Sequence, residues 1–155
     1  MNKSRPHARQ TGFTLIELIV VIVLLGILAA VAVPRMVSME TEARVAVADS
    51  LYSGLRSASS MVYAKTAAAG QTGSSNYTVD LGDGVTVRAR FGYPDGNTAA
   101  NVAALMDELS PRVTIAGTAA ARELRIDGRI DCGVTYARAV SAGTRPTITR
   151  TITGC

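Results

Sequence analysis

Residues 12–17 read GFTLIE and open an apolar run that continues to Val33. Between Phe13 and Val33 only Thr14, Glu17 and Gly26 fall outside the apolar class. A helix of these 21 residues is about 31 Å long, close to the hydrocarbon thickness of a bilayer. In front of it stands a short leader carrying Lys3, Arg5 and Arg9. Basic residues beside an apolar span hold that end in the cytoplasm. Glu17 is the anomaly, because a carboxylate in hydrocarbon is costly unless it has a partner or reaches the interface.

Outside this segment the composition is that of an ordinary globular domain rich in Ala, Thr, Gly and Arg. The 48% apolar fraction of the 155-residue chain is therefore unevenly spread. The formal charge of +4 is uneven too. Without Lys3, Arg5 and Arg9, 13 basic side chains face 12 acidic ones. That balance lacks the basic footprint of a phosphate-binding surface, which argues against a nucleic-acid partner.

Three readings of the apolar segment compete. A secretory signal peptide needs a shorter core and a small-residue cleavage site, which the AVA triplet near Ala32 supplies. A permanent single-pass anchor needs no Glu17. A helix that begins in the membrane and later enters a protein assembly has a use for it, if a cation waits on the next subunit.

Glycine, aromatic, Thr and then Glu, placed between a basic leader and an apolar run, resembles the class III signal of type IV pilins and related pseudopilins. The resemblance implies that a membrane prepilin peptidase cuts between Gly12 and Phe13 and N-methylates Phe13. It implies that Glu17 neutralises the Phe13 amine of a neighbouring copy within a helical homo-oligomeric filament. It also implies an inner-membrane precursor with a cytoplasmic N-terminus and a periplasmic head, handled by the inner-membrane assembly machinery and ending in an extracellular pilus. Scattered blocks (SLYSGLRSASSMVYAK, GYPDG, DCGVTY and TGC) look like pilins of the mannose-sensitive haemagglutinin type. Those blocks point to an adhesive pilus, with a type II secretion pseudopilin as the alternative. Burying the Phe13 amine or the Glu17 carboxylate alone costs several kcal/mol, so a pair penalises wrong registers more than it adds net stability. On one helix the two residues are about 6 Å apart, which favours an axial stagger between copies. Gly26 and Pro34 are the expected helix breaks, with Leu25–Val33 the stretch able to unwind.

From Arg35 to Ala69 the pattern predicts an amphipathic continuation of the helix. Ala48, Leu51, Leu55, Ala58 and Val62 recur at three and four and face a core. Glu40 and Arg44 form an i,i+4 pair in a stretch expected to lie between membrane and head or against other subunits. Tyr52, Met61 and Tyr63 read as core. The domain plan is leader 1–12, transmembrane and filament-core helix 13–34, helix continuation 35–69 and β-rich head 70–155.

In the head, YTVDLGDGVTVRARF predicts a hairpin turning at Gly82–Gly84, with Val85, Val87, Ala89 and Phe91 inward. GYPDGN predicts a turn. Thr98 is placed to cap a helix through Leu109. RVTIA, ELRID, RIDCGVTYARAV and RPTITRTIT predict strands, with Asp127–Gly128 as a hairpin turn. The fold class is α+β, one long N-terminal helix packed on an antiparallel sheet. Cys132 and Cys155 are either two buried thiols or, as an exported chain favours, a disulfide closing a 24-residue loop worth about 3.4 kcal/mol. A calcium site at Asp80 and Asp83 lacks a ligand series, and the Asn76–Thr78 sequon carries little weight in a chain with this signal. The only histidine is His7, in the leader, and no nucleophile elbow, phosphate loop or zinc set is present. The expectation is a structural protein without catalytic residues, metal or cofactor.

Overall fold

A computed structural model describes residues 12–106 and 109–155. The leader apart from Gly12 lies outside the described residues. One helix, α1 (Leu15–Ala68), is followed by β1 (Tyr77–Gly82), β2 (Val85–Arg90), β3 (Tyr93–Pro94), α2 (Ala99–Ala103), β4 (Val113–Gly117), β5 (Ala121–Ile126), β6 (Gly133–Ala137) and β7 (Thr147–Thr151). The fold is the α+β, type IV pilin-like class: a long N-terminal helix and antiparallel sheets. Two compact units are present, one through Met39 and one from Glu40 to Cys155.

The second unit is built on the helical stripe that the spacing predicts. Ala48, Leu51, Leu55 and Val62 are buried, and Ala58 packs against them. Full burial of each Leu or Val is worth about 1.5–3 kcal/mol. The helix ends in a Schellman motif at Gly70, whose φ is +68°. There the Gly70 N–H donates to Ala67 O at 3.0 Å and the Gln71 N–H to Thr66 O at 2.9 Å. The Thr66 hydroxyl, buried, lies 2.9 Å from the carbonyls of Val62 and Gly92 and ties the helix end to the loop after β2.

Instead of one sheet there are two, a three-stranded β1-β2-β3 and a four-stranded meander β4-β5-β6-β7, all antiparallel. The expected β1–β2 hairpin forms, with Asp83 and Gly84 at positive φ in its turn. Three expectations need correction here. Val85 is exposed, and Phe91 leaves the strand at φ +51°. That backbone reversal, completed by Gly92, brings Tyr93 and Pro94 back onto β2 as a short edge strand where a simple turn was expected. Thr98 does cap α2, accepting from the Asn101 N–H at 3.1 Å, but the helix stops at Ala103 and not Leu109.

A buried carboxylate joins the sheets. Asp95, after β3, takes a hydrogen bond from Arg138 Nη1 at 2.9 Å and faces Arg88 Nε at 3.4 Å. The Tyr136 hydroxyl donates to Pro94 O at 2.7 Å, and burial pushes its acidity far below that of a free phenol. Removing one partner of such a buried pair costs about 3–5 kcal/mol, so the polar seam fixes which loop meets which strand.

Cys132 and Cys155 form a disulfide, with sulfurs 2.06 Å apart. The Cys132→Ser/Cys155→Ser chain is expected to lose about 3 kcal/mol, read as a lower denaturation midpoint of the full chain in detergent. Reductant should reproduce the loss in the wild type only. Gly133, at φ +151°, has no room for a side chain, since a Cβ there would lie 1.9 Å from Leu124 O. Gly133→Ala should cost about 3 kcal/mol in the same assay. Gly73→Ala, where nothing lies within 4 Å, should be near neutral.

Candidate functional site

Gly12 and Phe13 precede the helix and are exposed; Phe13 is 94% accessible. The helix starts at Leu15, two residues later than a span beginning at Phe13 would. The cause is local. Thr14 and Glu17 form a capping box. The Thr14 N–H and hydroxyl each donate to Glu17 Oε2 at 2.8 Å, and the Glu17 N–H points at Thr14 Oγ1 at 3.3 Å. Two otherwise unpaired donors at the helix start are thus satisfied, and a carboxylate sits at the positive end of the helix dipole. The pattern T-x-x-E was legible in GFTLIE, yet only the role of Glu17 toward another copy was drawn from it. Glu17 Oε1 receives no hydrogen bond among the described residues.

Past the box, every large apolar side chain from Phe13 to Val33 is at least 46% exposed. Among the described residues, this is the one helix long and apolar enough to cross a membrane. The backbone is helical through Gly26 and position 34, so the expected break is not a break in the isolated chain. A missing N–H removes one rung of the ladder, and the rungs on either side suffice to hold the helix.

In the head, a cluster missed by the sequence reading surrounds Asp127. Its carboxylate accepts from Arg112 Nε at 2.8 Å and Arg112 Nη2 at 2.5 Å, and from Arg44 Nε at 2.9 Å. Arg44 also pairs with Glu40, as the i,i+4 spacing predicts, and donates to Cys155 O at 2.9 Å. Arg44 is only 8% exposed. The stretch from Glu40 is thereby part of the head and not a spacer before it. One aspartate, read only as a turn residue, ties α1 to the β5–β6 loop beside the disulfide. Hydrogen bonds from Arg112 first and Arg44 second hold the Asp127 carboxyl far below the ordinary carboxylate range.

Other expectations resolve as follows. Asp80 caps its own turn by accepting from the Gly82 N–H at 2.8 Å, and no metal-ligating cluster occurs among the described residues. Tyr52 is half-buried and packs against the edge of the core, as expected, whereas Met61 and Tyr63 are 53% and 41% exposed and are not core.

With this geometry in view, residues 7–33 match the family model for the prokaryotic N-terminal methylation motif. The chain is 52% identical over 50 residues to the type IV narrow pilus major component PilA5 of Thermus thermophilus, covering 32% of this chain and 43% of that one. It is 58% identical over 40 residues to the type II secretion system core protein G of Pseudomonas aeruginosa, covering 26% of this chain and 28% of that one. The matches span less than half the length of either relative. No solved structure matches the chain. The N-terminal third is thus type IV pilin-like, with likeness both to a pilus subunit and to a secretion-system protein. The exposed apolar helix and the methylation motif fit a membrane-anchored precursor that becomes a filament subunit.

The Asp127 cluster sets an acid limit. Its folded pKa lies below the unfolded value of about 3.9, so its contribution is complete above that pH and is lost as pH falls below it. Wild-type stability should decline below about pH 4, and Asp127→Asn should flatten that part of the profile while lowering stability at neutral pH. Denaturation of the two full chains between pH 2 and 7 checks this.

Proposed function

We propose that the chain is a structural, non-catalytic subunit of a type IV pilus, most like the mannose-sensitive haemagglutinin class, whose filament serves adhesion to surfaces. The observation that carries the reading is the exposed apolar helix opening on the Thr14–Glu17 capping box. The precursor spans the inner membrane once, with Met1–Thr11 cytoplasmic and the head periplasmic. Prepilin peptidase cuts between Gly12 and Phe13. The α-amine so made has a pKa near 8, and N-methylation preserves its charge. Glu17 Oε1, which receives no hydrogen bond among the described residues, takes the Phe13 amine of a neighbouring copy, while Oε2 stays with Thr14. Gly26 and Pro34 allow Leu25–Val33 to extend when the copies pack. The inner-membrane assembly machinery and other copies of the chain are its partners.

A second reading, a type II secretion pseudopilin, is favoured by the similarity to core protein G over the same N-terminal stretch.

Mass spectrometry of sheared surface filaments should find the chain beginning at methylated Phe13. A mature chain starting at Met1 or near Ala32 sinks the processing step. Glu17→Gln should still insert in the membrane but reduce sheared filament at least about tenfold, the size expected when one buried charge loses its partner. Filament yield equal to wild type refutes the pairing. Deletion of the protein separates the two readings: lost secretion with no surface filament supports the pseudopilin.

A further inference from the structure

The head commits most of its arginines internally. Six face a carboxylate and two more donate to main-chain carbonyls. Of the rest, Arg90 lies over the Phe91 ring, with 4.9 Å to its centroid. Arg56 and Arg145 have no carboxylate partner among the described residues, and both are exposed; Arg56 lies over the Tyr52 ring, 5.7 Å from its centroid. Both line one open cleft of about 530 Å³ between α1 and the start of β7. That volume is in the range of small-molecule sites.

The cleft has an aromatic wall. Tyr63 of α1 and Tyr93 of β3 stack with ring centroids 4.8 Å apart, and Tyr52 continues the wall along the helix. Ser60 and Thr147 also line it, the Ser60 hydroxyl donating to Arg56 O at 3.0 Å. A second hollow of about 310 Å³ shares Tyr63, Tyr93 and Arg145 and adds Phe91. Phe91 holds a left-handed backbone that bulky residues rarely take.

We infer that this cleft binds an acidic sugar, a pyranose ring carrying a carboxylate. The planar guanidinium forks of Arg56 and Arg145 match a carboxylate's two oxygens. A sugar's C–H face carries slight positive charge and suits the negative face of a tyrosine ring. The Thr147 side chain adds a hydroxyl to answer the ring's own, and Ser60 Oγ keeps acceptor capacity. A nucleic acid fits worse. From Glu40 onward 12 basic residues face 11 acidic ones, and two arginines without a carboxylate partner among the described residues make no polyanion track. An acyl chain fits worse as well, because charged and hydroxyl groups line the site. The inference does not rest on the filament reading, since the site lies wholly in the head.

The test is titration of the full chain in detergent micelles with glucuronic acid and with N-acetylneuraminic acid, by calorimetry or saturation-transfer NMR. Saturation below about 10 mM is expected for one or both, with glucose and inorganic phosphate at least about tenfold weaker. Arg145→Gln and Tyr63→Ala should each weaken binding about tenfold while leaving the melting curve unchanged for Arg145→Gln. Arg125→Gln, which removes a cation paired with Glu123, should leave binding unchanged. The inference is overturned by no saturation with either acid, by glucose or phosphate binding equally well, by tighter binding of a single-stranded oligonucleotide, or by an Arg145→Gln chain that binds as the wild type does. A filament that assembles normally without any sugar binding would overturn this site and leave the pilus reading intact.

Discussion

A continuous apolar helix cannot remain in water, and that constraint governs everything the N-terminal unit does. Fifteen large apolar side chains between Phe13 and Val33 are exposed in the isolated chain. At about 1.5–3 kcal/mol for each such side chain removed from water, the drive to cover them is tens of kcal/mol, several times the stability of a typical domain. No rearrangement of a head this size supplies that cover. Either a bilayer or the same helix on other copies must do so. Moving from one to the other exchanges one apolar environment for another, so the transfer need not be uphill on hydrophobic grounds. Polar groups along the helix then decide whether it happens and in which register.

The head answers a different problem. It is small, and its two sheets share one core with the C-terminal half of α1, where Leu51, Leu55 and Val62 meet Leu124, Val134 and Tyr136. A core of this size benefits from staples. Covalent and ionic ones are concentrated at one place. The disulfide holds Cys155 to Cys132, Arg44 holds the Cys155 carbonyl, and Asp127 holds Arg44 and Arg112. Asp95 performs the equivalent task between the sheets. Because each staple pairs residues far apart in sequence, each restricts topology as well as adding stability.

What was legible follows from this division. Periodicity exposed the helix stripe, alternation and turn residues exposed the hairpins, and cysteine usage exposed the disulfide. All are local or compositional signals. Phe91 reads as the last inward residue of a strand, and only the closure of β3 onto β2 explains its positive φ. Met61 and Tyr63 sit near true core residues in the helix sequence, and whether such a position is covered depends on where the sheets end. Asp127 has the signature of a turn and is a turn; its arginines lie 83 and 15 residues away. The capping box is different. Its four residues are contiguous, and it was overlooked because a carboxylate in an apolar run draws attention to distant partners first.

That local pairing sharpens the case for Glu17. A carboxylate with no partner would resist both bilayer and filament, and one fully satisfied in its own chain would have nothing left to specify a neighbour. Glu17 stands between these limits. Oε2 takes both Thr14 donors, which fixes the side chain's direction without a cation. Oε1 receives no hydrogen bond among the described residues. In the proposed filament an ammonium meeting Oε1 finds a preoriented acceptor, so less rotamer entropy is lost on pairing than for a free glutamate. Thr14 then has a part in assembly that does not require it to touch the neighbouring copy. The spacing of threonine and glutamate within GFTLIE is as much a constraint on that step as the charge itself.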